Sequence, residues 1–210
     1  MHNLKITIVS LHACMRTVKQ SLALMQHGHY VRFVCSKTIP QCWESFKTVH
    51  TCLNKGQLYH SIKAVEPDTD IFYASSEPYW LTSFIKEITN KPVVMDVHDS
   101  YIARTTDEEA QKADEIGEPL ARVVTMERNN LQVADALVFP SGSFGVLLQQ
   151  EYKLEQPFLV MPSYVPKMMY SYNGAEYVGG LTYEGLIMRQ DRMTTPSLKT
   201  FGYADYLQLA

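Results

Sequence analysis

Between residues 4 and 161, short apolar runs rich in β-branched side chains alternate with longer stretches of helical periodicity. That alternation limits the fold more than any other feature of the chain. The strand-like runs are 4–9, 30–35, 71–74, 93–97, 136–139 and 158–161. Val18, Leu22 and Met25 recur at helical spacing and predict a helix over 16–26; Trp43, Phe46, Val49 and Leu53 mark a second helix face. Pro78 suits the first turn of a helix running to about 89. Residues 107–133 read as mostly helical with a break at 117–119, and 144–151 as a further helix. Strand, helix and strand in repetition build a parallel sheet covered on both faces, with right-handed crossovers. The expected fold is therefore α/β, a doubly wound Rossmann-like parallel sheet occupying residues 1–164.

Beyond that point the texture changes. Pro162-Ser163-Tyr164-Val165-Pro166 leads into an expected linker over 165–175. Residues 175–178 followed by Gly179-Gly180 read as a new strand and turn, and 203–209 as the beginning of a helix. One strand and part of a helix cannot bury a core, so 176–210 is expected to be the truncated start of a second domain.

Composition narrows the classes further. A net charge of -3 gives no overall sign of nucleic-acid binding. Cys14, Cys35, Cys42 and Cys52 form no C-x-x-C, so neither a zinc knuckle nor a redox motif is signalled, and they read as reduced, mostly buried thiols. The first apolar run is too short for a signal segment, and no stretch approaches the ~20 apolar residues of a spanning helix. The chain is expected to be cytoplasmic, at most peripheral to the inner face of a membrane. The stretch 37–55, with Lys37, Trp43, Phe46, Lys47 and Lys55, would be the amphipathic candidate for such contact, beside its reading as an ordinary core-facing helix.

Open α/β sheets bind ligands beyond the carboxyl ends of their strands. That rule selects Ser10 and His12 after the first strand, with Arg16 one turn into the following helix. It also selects Glu77, the run Asp96-Val97-His98-Asp99, and Ser141. Hydroxyls, carboxylates, imidazoles and an arginine suit a polyhydroxylated ligand such as a sugar, as they suit many polar ligands. A histidine flanked by acids gains basicity and can hydrogen-bond a substrate hydroxyl. The same run also reads as a loop cap, with His98 meeting a backbone carbonyl. Glu127, beside Arg128, reads as part of a solvated helix face. No G-x-G-x-x-G, P-loop, G-x-S-x-G or H-E-x-x-H occurs, which argues against a sugar-nucleotide epimerase or dehydrogenase.

Several segments taken in order resemble glycosyltransferase family four. His27-Gly28-His29-Tyr30-Val31 is similar to its "G-H-x-V", and the run from Lys91 to Asp99 to its "K-P-V-V-x-D-x-H-D". Glu127-Arg128, then Ala134-Asp135-Ala136 through Ser141, resemble its "E-R … A-D-A" segment. Met161-Pro162-Ser163-Tyr164-Val165-Pro166 resembles its "P-N-x-V" stretch, and Val178-Gly179-Gly180-Leu181 the opening of its second domain.

The resemblance implies the N-terminal, acceptor-side half of a two-domain GT-B enzyme and the start of its second Rossmann-like domain. It implies sugar transfer from a nucleotide-sugar donor to a saccharide or lipid-linked acceptor, with retention of configuration and without a metal or cofactor. His98, with Asp96 and Asp99, would face the transferred sugar; Ser10, His12, Arg16, Glu77 and Ser141 would contact substrate. Leu11-His12-Ala13 replace the paired glycines common in the family's first loop, which removes the close backbone approach to donor phosphates. The donor-binding basic residues and glutamate pair belong to the second domain, so this stretch alone is expected to be inactive. The alternative is a non-catalytic Rossmann-like binding or interaction module.

Overall fold

The computed structural model describes residues 3–12, 14–37, 46–75, 79–100 and 120–162, all within the unit Met1–Tyr164. The expected linker and second-domain start lie outside the described residues, as do Trp43, Glu77 and the break at 117–119.

One seven-stranded sheet carries the described chain. Its strands are β1 (Lys5–His12), β2 (Tyr30–Lys37), β3 (Thr48–Thr51), β4 (Ile71–Ser75), β5 (Val93–Asp96), β6 (Ala136–Phe139) and β7 (Phe158–Val160). All pair in parallel, in the order β3-β2-β1-β4-β5-β6-β7. The chain winds outward from β1 to β3, then returns to the other side of β1 and winds outward again to β7. The winding direction reverses beside β1, so the loops there splay apart and open a crevice at the carboxyl edge.

The helices are α1 (Met15–Gln26), α2 (Lys55–Val65), α3 (Leu81–Ile88), α4 (Leu120–Val133) and α5 (Gly142–Tyr152). Alternate strand residues point to opposite faces, and the two faces bury different partners. Ile6 and Ile8 of β1 pack with Val18 of α1, whereas Val9 packs with Leu58 and Ile62 of α2 and Leu81 and Ile85 of α3. A third cluster joins Met95 of β5 and Leu137 and Phe139 of β6 to Leu131 of α4 and Leu148 of α5. Each fully buried Leu, Ile or Phe among these contributes about 1.5–3 kcal/mol.

The segment 43–53 is not the helix face that its spacing suggests. Thr48–Thr51 is strand β3, in register with Arg32 to Cys35 of β2. Phe46 is buried, its ring stacked on Phe33 with centroids 4.4 Å apart, while Leu53 is 80% exposed. The β-branched Thr-Val-His-Thr run fits a pleated edge, and the apparent helical period comes from a strand followed by a turn. This strand also breaks the stretch 37–55 as a single amphipathic helix. The helix lies further on, as α2: Asn54 caps it by accepting from the Gln57 amide at 2.9 Å, Gln57 Oε1 accepts from the Leu53 amide, and Leu58, Ile62 and Val65 form its buried stripe.

Glu127 does not lie on a solvated face. It is 1% exposed and accepts a 2.7 Å hydrogen bond from the Tyr152 hydroxyl, which ties α4 to the end of α5. Among the described residues no helix is long and apolar enough to cross a membrane.

Candidate functional site

Asp96 is the last residue of β5 and sits 1% exposed beneath the amino end of α1. Arg16 and Gln20 stand one helical turn apart on α1, so both side chains reach the same point on the sheet. The Arg16 Nε donates to Asp96 Oδ1 and Oδ2 at 3.1 and 2.9 Å, and a terminal nitrogen donates to Oδ1 at 2.8 Å. Gln20 Nε2 donates to Oδ2 at 2.7 Å. The other terminal nitrogen of Arg16 donates to the Met161 carbonyl at 2.9 Å, fastening the residue after β7 to the same hub.

His98 follows two residues later. Its Nε2 lies 2.9 Å from Asp96 Oδ2, and its side chain is 21% exposed. The Cys14 thiol lies close enough to His98 for the two to influence each other's ionisation. Cys14 is the N-cap of α1: its sulfur accepts from the Thr17 amide at 3.4 Å and lies 3.2 Å from the Thr17 hydroxyl. The result is a chain of polar groups, Arg16–Asp96–His98–Cys14, running from a buried carboxylate to a partly exposed thiol.

The charges in this chain hold one another. Burial alone would push His98 down, but Asp96 and Cys14 raise it to about 10. Burial pushes the Cys14 thiol up, but His98 and Thr17 bring it down to about 7. Burial likewise opposes ionisation of Asp96, and His98 and Arg16 outweigh it, so its carboxyl stays below the ordinary range. Burial, and then the Asp96 charge, hold the neighbouring Tyr73 phenol well above its usual value. At neutral pH His98 is thus an imidazolium, a hydrogen-bond donor rather than a base.

On the opposite face of the sheet, at the same carboxyl edge, a mostly apolar cavity of about 240 Å³ opens. Val9, Leu11, Leu58, Trp80 and Leu81 form its walls, with Ser10, Ser36, Asn54 and Lys55 supplying polar groups. The Lys55 ammonium sits 3.8 Å from the centre of the Trp80 ring, and Ser36 donates to the Leu11 carbonyl at 2.7 Å.

Of the residues singled out from sequence, Asp96, His98 and Arg16 thus meet in one network. Ser10 is buried and lines the cavity. Asp99 is exposed. Ser141 is exposed and caps α5, accepting from the Phe144 amide at 3.3 Å. His12 ends β1, and its side chain, like the whole of Glu77, lies outside the described residues. Asp135, in the "A-D-A" segment, accepts from the Val93 amide at 2.7 Å and pairs with Lys86, which clips the start of β5. Cys14 and Gln20 escaped the sequence reading. Their signal was positional: both follow the first strand on the helix that carries Arg16. Among the described residues, no group of three or more His, Cys, Asp or Glu is arranged to hold a metal ion.

Neither a family model nor a curated protein sequence matches this chain. Solved structures do match. Sucrose-phosphate synthase from Thermosynechococcus elongatus aligns with a TM-score of 0.52 at 16% identity, over 76% of this chain and 48% of its own. Phytolacca americana UGT2, complexed with UDP-2fluoro-glucose and pterostilbene, aligns with a TM-score of 0.53 at 7% identity, over 80% of this chain and 56% of its own. Glycyrrhiza uralensis UGT73P12, complexed with glycyrrhetinic acid 3-O-monoglucuronide, gives 0.50 at 12%, over 77% and 49%. The chain thus spans about half the length of these structures. At such identities the likeness is one of fold: a Rossmann-like α/β sheet similar to the one in these structures.

Proposed function

We propose that this chain is the acceptor-side half of a glycosyltransferase, moving a sugar from a nucleotide-sugar donor onto an acceptor with an apolar portion. The observation that carries the reading is the apolar cavity at the carboxyl edge where the sheet reverses its winding, in a fold shared with glycosyltransferases. Its volume suits a small ring system, and its few polar groups would orient acceptor hydroxyls.

His98 contributes as a fixed cation. Held protonated by Asp96, it donates to a sugar hydroxyl or to a phosphate oxygen as charge develops on the departing nucleotide. Such a histidine acts as a donor to the sugar or phosphate rather than as the acceptor's base at neutral pH. Asp96 and Arg16 position His98 from beneath and leave the substrate contacts to groups nearer the surface. The donor's nucleotide would be held by residues outside 3–162, as the half-length alignment with whole glycosyltransferases supports.

The test is transfer from labelled nucleotide sugars to aryl and alkyl glycosides by the full natural polypeptide carrying this sequence. Turnover is expected, with His98→Ala lowering kcat by about 100-fold, the scale for losing one preorganised donor to developing charge. Acceptor binding without turnover on any donor would instead support the binding-module reading, which the complete internal pairing of the Asp96 carboxylate favours.

A further inference from the structure

The polar groups around the apolar cavity are unevenly used. Ser36 donates to the Leu11 carbonyl at 2.7 Å, and the Cys52 thiol donates to the Ser61 hydroxyl at 3.2 Å. Asn54 turns its Oδ1 to the Gln57 amide as the cap of α2. That leaves the Asn54 amide nitrogen and the Lys55 ammonium, neighbours at the rim, with no acceptor among the described residues. Lys55 is the one charged residue in the described lining, and no carboxylate stands there to pair with it. Its ammonium lies 3.8 Å from the centre of the Trp80 ring, so the indole holds the cation at the rim while the alkyl stem covers the ring. An apolar chamber with one cation and a second donor at its mouth complements an anion with an apolar body.

We propose that the cavity selects apolar carboxylates, small aryl or alkyl acids whose ring or chain fills the chamber while the carboxylate accepts from the Lys55 ammonium and the Asn54 amide. The inference rests on the reading that this cavity seats the acceptor, and it names the acceptor's class: an apolar acid that also carries a hydroxyl to receive the sugar. A carboxylate fits better than a phosphate dianion, because one ammonium balances one charge. The ion pair forms at the rim, where water screens it, so it adds modestly to affinity and mainly to selectivity. A neutral molecule of the same shape fills the chamber equally well and leaves Lys55 without its partner.

The probes are 3-(4-hydroxyphenyl)propanoate and its primary amide, titrated calorimetrically into the intact protein at neutral pH and at low and high salt. At low salt the acid is expected to bind about fivefold more tightly than the amide, the upper range for a partly exposed ion pair. Raising the salt is expected to shrink that preference without weakening the amide. Lys55→Met keeps an unbranched stem against Trp80 and removes the charge, so it is expected to erase the preference and leave amide binding nearly unchanged. Lys55→Arg is expected to retain the preference. Ser36→Leu, which fills the cavity, is expected to weaken both ligands alike. Equal binding of acid and amide by the native protein overturns the selectivity and leaves the cavity as the acceptor's seat. Binding of neither removes that seat, and this inference with it. An acid preference that survives Lys55→Met, or acid binding that survives Ser36→Leu, puts the anion elsewhere and overturns the proposal.

Discussion

Arg16 and Asp96 lie 80 positions apart in sequence and meet through two guanidinium nitrogens, one reaching both carboxylate oxygens at 3.1 and 2.9 Å and the other at 2.8 Å. The carboxylate is 1% exposed, so its charge is tolerable only because it is paired and fully hydrogen-bonded. The same guanidinium holds the Met161 carbonyl, so the pair ties α1, β5 and the end of β7 together. Removing Arg16 leaves a buried anion, and breaking one side of such a pair costs about 3–5 kcal/mol. Arg16→Ala is therefore expected to lower unfolding stability by about 3 kcal/mol in urea titrations. The double variant Arg16→Ala/Asp96→Ala is expected to recover part of that loss. Equal destabilisation by the single and double variants would show that the buried charge is not the cause.

Cys14 and His98 set opposite pH dependences that cancel. The Cys14 pKa is depressed from 9.0 to about 7, so its contribution is present above pH 9 and is lost as pH falls towards 7. The His98 pKa is raised from 6.5 to about 10, so its contribution is present below pH 6.5 and is lost as pH rises towards 10. Between pH 7 and 9 the folded protein has released one proton at Cys14 and retained one at His98, relative to the unfolded chain. Stability from this pair is expected to be level across that window. Cys14→Ser removes one side, and stability should then fall as pH rises above the ordinary histidine range, by up to about 1.4 kcal/mol per pH unit. Denaturant titrations at pH 7, 8 and 9 on both proteins check this, and parallel profiles would refute it.

The strands were legible from sequence because β1, β2, β4, β5 and β6 are largely buried on both faces and appear as mostly apolar runs, interrupted by Lys5 and Thr7 in the first and Arg32 in the second. The edge strand β3 was not, since Thr48 to Thr51 is partly solvated and its only long apolar member, Val49, fell into a helical spacing with Phe46 and Leu53. Helix α2 carried an Asn54–Gln57 capping pair and the stripe Leu58, Ile62 and Val65, signals that the false helix masked. At the site, proximity to strand ends identified Asp96, His98 and Arg16. It could not show that Asp96 turns inward beneath α1, nor that Glu127 is buried against Tyr152, because both depend on contacts across more than twenty residues.

Gly145 records how closely α5 approaches the sheet. A Cβ placed there would stand 2.8 Å from Phe139 Cδ2 and 3.3 Å from both Phe139 Cγ and Phe158 Cε2. Those rings meet edge to face, 5.5 Å between centroids, and Phe139 is fully buried, so it cannot swing aside cheaply. Gly145→Ala gains helix propensity of about 1 kcal/mol. It incurs overpacking of about 1–3 kcal/mol. The expected result is a net loss of about 1 kcal/mol, read as a lowered Tm. A raised Tm would mean that α5 shifts outward freely.

Trp80 makes the cavity observable. The chain has two tryptophans, so Trp43→Phe leaves Trp80 as the sole indole, on the cavity wall and under the Lys55 ammonium. An aryl glycoside entering the cavity is expected to change Trp80 fluorescence saturably. Ser36 lines the same space, so Ser36→Leu should place apolar bulk inside it. That variant is expected to weaken binding by about tenfold or more, because a group that fills a small apolar site excludes the ligand rather than tuning it. His98→Ala, on the other face of the sheet, should leave this binding unchanged while affecting sugar transfer. A fluorescence response that Ser36→Leu leaves intact would place the aryl group elsewhere, and the cavity would then lose its role as the acceptor's apolar seat.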